Sequence, residues 1–156
     1  MLSTRLVELM ETHAEDIAKA VLDKLRSDRR VSLFSRLPDK DLLKRFEDVC
    51  KRLSFWLSES DEAELAEHYE SLGRMRYLEQ IPLHEVVWAA LLVKKQLLRY
   101  AREHCCEQTA YEIHAEAELE RVVNGFFDKV VYSIVHGYQQ EQGSASSATQ
   151  AQPVAR

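Results

Sequence analysis

The sequence predicts an all-α, single-domain bundle of five to six helices, and three observations carry that prediction. Apolar residues recur at helical spacing along most of the chain. Glycine and proline are scarce, 4 and 3 residues in 156, whereas a chain of short strands needs far more turn residues. Apolar residues make up 46% and charged residues 30%, the balance of a globular protein able to bury a core. The length suits one domain.

The first helix is marked by Leu6, Leu9, Met10, Ile17, Val21 and Leu25, which place one apolar stripe on a segment from about Thr4 to Arg26. Asp28 to Leu37 reads as loop. Pro38 and Asp39 open a second helix, and Leu42, Phe46, Val49, Cys50, Leu53 and Trp56 continue it to about Ser58. Ser60, Asp61 and Glu62 suit the start of a third, because acidic residues favour the positive end of the helix dipole. Its stripe runs through Leu65, Tyr69, Leu72 and Arg76.

Pro82 fits a first helical turn but not an interior, so the third helix stops near Gln80 and a fourth starts at Pro82 and runs to about Glu103. From Leu83 to Val93 it is apolar nearly all round, which places that half in the core. The fifth, about Ala110 to Gln140, has the widest stripe, from Leu119 and Val123 to Tyr138. Gly125 inside it costs about 1 kcal/mol against Ala, so a kink or a close helix contact is expected there. Residues 1–141 therefore form the helical domain, and 142–156, rich in Ser, Ala and Gln, read as a disordered polar tail.

The net charge of -5 and the lack of a basic face argue against nucleic acid as a partner. Cys50, Cys105 and Cys106 form no disulfide framework, which points to a reducing cytoplasm. The acidic residues Glu8, Glu11, Glu15 and Asp16 interrupt any signal-peptide-like run. The longest apolar stretch, Val86 to Val93, falls well short of the about 20 residues a membrane span needs. A soluble, cytoplasmic chain that does not cross a membrane is expected.

Three stretches are more specific than the helices themselves: RLSFWL at 52–57, YESLGRMRYLEQIPLHEVVWAALLVKKQLLRY at 69–100, and NGFFDKVVYSIVHGY at 124–138. Within them stand a Leu-Gly-x-x-Arg turn at 72–76, an Ile-Pro-Leu-x-Glu-Val-Val run at 81–87 and the pair Phe126-Phe127. Over nearly all of residues 1–140 the pattern resembles the N-terminal domain of RsbR-type proteins, co-antagonists of the kinase RsbT in bacterial stressosome signalling. The resemblance implies a globin-like sensory or scaffold domain, commonly without haem, that dimerises and passes signals to an output domain. Relatives usually continue into a STAS, kinase or other output domain. This chain carries a short polar tail instead, so it is expected to regulate a kinase or STAS-type partner in trans.

None of these motifs is catalytic. Gly-rich phosphate loops, Gly-x-Ser-x-Gly and His-Glu-x-x-His are all missing, and no Glu-x-x-His pair of a di-iron bundle precedes any of the six histidines. No enzyme activity, catalytic residue, resident cofactor or metal site is expected. The cluster His104, Cys105 and Cys106 has no second cluster to complete a zinc site, and Glu64 with His68 reads as a solvated pair one turn apart.

Four residues are candidates for ligand binding. His84 and Trp88, on the apolar half of the fourth helix, would with Phe126 line a haem or small-ligand pocket in the alternative reading of a sensor or carrier. Arg74 and Arg76 lie near Glu79 and Glu85, where they form an ion-pair network across the Pro82 corner or hold a small anion or partner carboxylate. The stripe of the fifth helix can cover a core and a partner helix together, which makes Val123, Phe127, Val130 and Ile134 candidates for a homodimer interface. The same stripe also suits a central helix enclosed within one monomer.

Overall fold

The computed structural model describes residues 2–57, 62–104 and 109–150, and its regular elements are helices throughout. They are α1 (Leu2–Thr12), α2 (Ala14–Ser27), α3 (Asp39–Lys51), α4 (Leu53–Leu57), α5 (Glu62–Leu78), α6 (Leu83–Glu103) and α7 (Ala110–Gln150), with two short 3-10 turns at Arg29–Val31 and Phe34–Arg36. The all-α bundle is as expected, but the described helices number seven because two of the expected ones are broken.

The first break separates α1 from α2 at His13, whose φ of -102° and ψ of 24° leave the helical region. Just before it, the Thr12 hydroxyl donates to the Glu8 carbonyl at 2.8 Å, a back-bond that tends to bend helices. The second separates α3 from α4 at Arg52. There the Glu11 carboxylate of α1 accepts the Ser54 amide at 2.7 Å, satisfying a free donor at the start of α4 from another helix. The residues named for the helix junction at Ser58, Ser60 and Asp61 lie outside the described residues.

The core is one contiguous cluster in which α7 lies centrally, packing on α5, α6, α1 and α4, while α2 packs on α3 and α6. Between α5 and α7 the pairs Glu62 with Lys129 at 2.5 Å, Glu70 with His136 at 2.8 Å and Arg74 with Gln140 at 3.3 Å rise together along both helices. The two helices therefore run parallel, with the antiparallel connection made through α6.

The α5–α6 corner closes as a Schellman-type cap. Gln80 takes φ 60°, its amide donates to the Tyr77 carbonyl at 2.9 Å, and the Ile81 amide donates to the Arg76 carbonyl at 3.1 Å. Ile81 is buried, and its carbonyl accepts the Tyr138 hydroxyl at 2.7 Å, which ties α7 to the corner. Pro82 follows and α6 begins, as read from the sequence.

The segment from Gly143, expected to be a disordered tail, instead continues α7 as an exposed helix to Gln150. The hydroxyls of Ser144, Ser146, Ser147 and Thr149 donate to the carbonyls four residues earlier at 3.0–3.1 Å, so these polar residues are satisfied within the helix without a core. Residues 151–156 lie outside the described residues. Among the described residues, no helix is long and apolar enough to cross a membrane.

Candidate functional site

Helices α3, α5, α6 and α7 converge on an apolar chamber of about 70 Å³ at the heart of the bundle. Phe46 and Val49 of α3, Val86, Ala89 and Val93 of α6, and Phe127, Val130 and Ile134 of α7 supply its apolar walls. Among the described residues polar groups enter it from two helices: Arg45 from α3, and Tyr69 and Arg76 from α5. Tyr69 and Arg76 stand seven residues apart, two helical turns, which puts them on one face of α5.

The Tyr69 side chain is buried, and its hydroxyl has no hydrogen-bond partner among the described residues. Burial pushes its phenol above the ordinary tyrosine range. The ring packs in an aromatic cluster, 5.6 Å from Trp56 and 6.1 Å edge-on to Phe126, so its position is fixed. A buried polar atom without a partner is uncommon in a folded protein and calls for a physical reason.

Arg76 is only 4% exposed, donates to Glu79 at 2.6 Å, and lies with its guanidinium carbon 5.1 Å from the centre of the Phe34 ring. Arg45 is half-buried, and its guanidinium donates to the Met75 sulfur at 3.3 Å, with no carboxylate within 4.0 Å among the described residues. Burial lowers its pKa first, and the neighbouring positive charge of Arg76 lowers it further. Both arginines also line a polar cleft of about 330 Å³ outside the chamber, together with Asp41, Lys44, Asp48 and Glu79. They therefore stand where the polar cleft meets the apolar chamber.

Glu85 fixes the remaining wall. It is buried in the first turn of α6, accepts the Phe34 amide at 2.7 Å and faces the Ser32 hydroxyl at 3.5 Å. The 28–37 segment is held at its other end by Asp28, which accepts the Arg30 amide at 3.0 Å, the Arg30 guanidinium at 2.9 Å and the Trp88 indole at 2.7 Å. These bonds hold the Asp28 carboxyl well below the usual carboxylate range, the Arg30 side chain contributing most.

Of the four ligand candidates, only Arg76 reaches the chamber. His84 is exposed on the outer face of α6, because it sits one residue before the inward-facing Glu85 and Val86. Trp88 is half-buried at the surface, with its indole bonded to Asp28 and its ring between the Arg30 and Lys95 cations at 4.1 and 4.3 Å. Phe126 belongs to the aromatic cluster around Tyr69, so the pocket of His84, Trp88 and Phe126 does not assemble. The expected ion-pair network across the Pro82 corner is also divided: Arg74 turns toward Glu70 and Gln140, and Glu85 toward Phe34.

The four interface candidates, Val123, Phe127, Val130 and Ile134, are all buried inside the monomer, three of them against the chamber. They are core residues, because α5 and α6 already cover that stripe of α7. The cluster with Cys105 and Cys106 lies outside the described residues. Among the described residues no three or more His, Cys, Asp and Glu side chains group as a metal site would require.

Sequence reasoning missed Arg45, Tyr69 as a polar group in the core, and the close approach of α5 to α7. Gly73 and Gly137, not Gly125, make that approach: a Cβ on Gly73 would fall 2.9 Å from the Tyr138 amide nitrogen, and one on Gly137 2.6 Å from the Glu70 carbonyl carbon. Gly125 has open space around it. The Leu-Gly-x-x-Arg motif at 72–76 is thus the middle of a helix rather than a turn. Its glycine admits the neighbouring backbone and its arginine closes the chamber.

An all-α bundle with a small apolar chamber and two arginines at its edge is the class of domain that the fold and site define. Over residues 15–152 the chain matches the family described as RsbT co-antagonist protein rsbRD N-terminal domain, and it belongs to that family. The match includes all three stretches on which the resemblance rests and extends into the helical continuation of α7. No curated protein and no solved structure gives a significant match.

Proposed function

We propose that this domain is a non-catalytic signal-input or scaffold module of a bacterial stress response, which self-associates and alters the state of a signalling partner of the kinase or STAS type. The observation that carries the reading is membership of the RsbT co-antagonist N-terminal domain family over nearly the whole chain. The apolar chamber supports an input role, because occupancy of a small space between four helices shifts their packing. The long α7 supports transmission, since one helix both lines the chamber and continues past the body to Gln150.

Self-association must use a surface other than the buried stripe of α7. Exposed apolar side chains stand at Tyr111, Ile113 and Tyr132 of the same helix. Light scattering on the purified protein at micromolar concentration tests the dimer, and a monomer mass alone would dispose of it. Co-purification with an RsbT-type kinase or a STAS protein tests the partner. Binding to neither would leave the signalling reading without a target.

A further inference from the structure

The chamber combines features that a purely structural core does not need. Tyr69 lines it, and its buried hydroxyl has no hydrogen-bond partner among the described residues, where phenylalanine would fill the same space at no polar cost. Two arginines of like charge meet at its edge, although their mutual repulsion and burial both oppose that placement. Among the described residues Arg45 hydrogen-bonds a thioether sulfur, a weak acceptor, with Asp41, Asp48 and Glu79 acting on it as charges, and Glu79 engages one nitrogen of the Arg76 fork.

We propose that this chamber is a binding site for a short aliphatic monocarboxylate, whose hydrocarbon part occupies the apolar interior and whose carboxylate is held by Arg45 and Arg76 where the chamber meets the cleft. The chemistry is complementary group by group. A carboxylate accepts from planar guanidinium forks, which are left without full acceptors here among the described residues. The walls from Val86, Ala89, Val93 and Val130 offer only hydrocarbon, so the rest of the ligand is apolar.

Size and charge narrow the class further. At about 70 Å³ the space is roughly half the 150 Å³ of a cavity that holds benzene, which limits the ligand to a few carbons. Outside the arginines the cleft also carries Asp41, Asp48 and Glu79, which offset much of the positive charge and disfavour dianions such as phosphate or a dicarboxylate. Use of such an acid as the signal rests on the function proposed above, whereas its binding does not.

The test is titration calorimetry and thermal unfolding of the full chain with sodium butyrate, against sodium chloride and sodium phosphate at equal ionic strength. Saturable butyrate binding that raises the unfolding temperature is expected, with no equivalent effect of chloride or phosphate. Arg45→Met, which keeps most of the side-chain volume, should weaken butyrate about tenfold or more, whereas Asp23→Asn, on the exposed side of α2, should bind it as the wild type does.

No saturable butyrate binding overturns the proposal, as does an equal response to phosphate, or wild-type affinity in Arg45→Met. Partner co-purification by the wild-type protein is scored separately. Loss of the ligand with the partner retained therefore sinks this site alone, and the reverse result sinks the signalling reading alone.

Discussion

Gly73 of α5 and Gly137 of α7 face each other's backbones across a parallel helix pair, Gly73 against Ile134 and Tyr138, and Gly137 against Glu70. The absence of both side chains lets the two backbones touch directly. This approach sets the position of everything the two helices carry into the chamber: Tyr69 and Arg76 from one, Val130 and Ile134 from the other.

Adding one methyl group at either glycine should therefore be costly. Gly73→Ala and Gly137→Ala each force backbone apart rather than a flexible side chain, and a loss of about 3 kcal/mol or more is expected, the upper end for overpacking. Gly125→Ala has open space and should gain about 1 kcal/mol from helix propensity. Urea unfolding of the three variants checks the opposite signs.

The helices were legible in the sequence because each buries one continuous stripe, and Arg76 falls on such a stripe. The chamber was not. Arg45 lies beside Phe46 on an exposed-looking α3 pattern, and its role appears only when α5 brings Arg76 opposite it. Periodicity counts faces, but it does not say which face another helix covers. For that reason the stripe of α7 was open to reading as a dimer surface, and His84 as an inward ligand. The breaks at His13 and Arg52 were hidden for a related reason, since the apolar stripe continues across both.

Asp28 gives the protein a predictable response to acid. Its carboxyl is held far below the unfolded value of about 3.9, so its contribution to stability is fully present above that pH and is lost as pH falls toward the lower folded value. Asp28→Asn should destabilise the protein at neutral pH, and the difference from wild type should shrink steadily below pH of about 4. Denaturant unfolding at a series of pH values measures both. A difference that stays constant with pH would show that the Arg30 and Trp88 bonds do not depend on the charge.

Glu85 should act through the backbone of Phe34. Glu85→Ala strips the buried amide of its acceptor and should cost about 1–3 kcal/mol, whereas Glu85→Gln retains a carbonyl oxygen in place and should cost less. Because Phe34 lines the chamber and stacks near Arg76, the Ala variant should also expose the 28–37 segment to proteolysis. Cleavage confined elsewhere would separate that segment from Glu85.

Cys50 should be chemically silent in the native state. It is fully buried in α3, and burial pushes its thiol up to about 12, so almost no thiolate exists at neutral or mildly alkaline pH. Peptide mapping after treatment with a thiol reagent at pH of about 8 should find Cys50 unmodified until denaturant is added. Rapid native labelling would mean that the α3 side of the core opens locally.

The buried stripe of α7 separates folding from assembly. Phe127 is 3% exposed and lines the chamber, so Phe127→Ala removes a core ring and should cost about 3–5 kcal/mol. If the residue serves the monomer core, that loss is the same at every protein concentration, whereas an interface residue gives a loss that changes with concentration through mass action. Unfolding over a roughly fifty-fold concentration range distinguishes the two. The same loss throughout assigns the stripe to the fold of one chain, and directs the search for the self-association surface to the exposed side chains of α7 such as Tyr111, Ile113 and Tyr132.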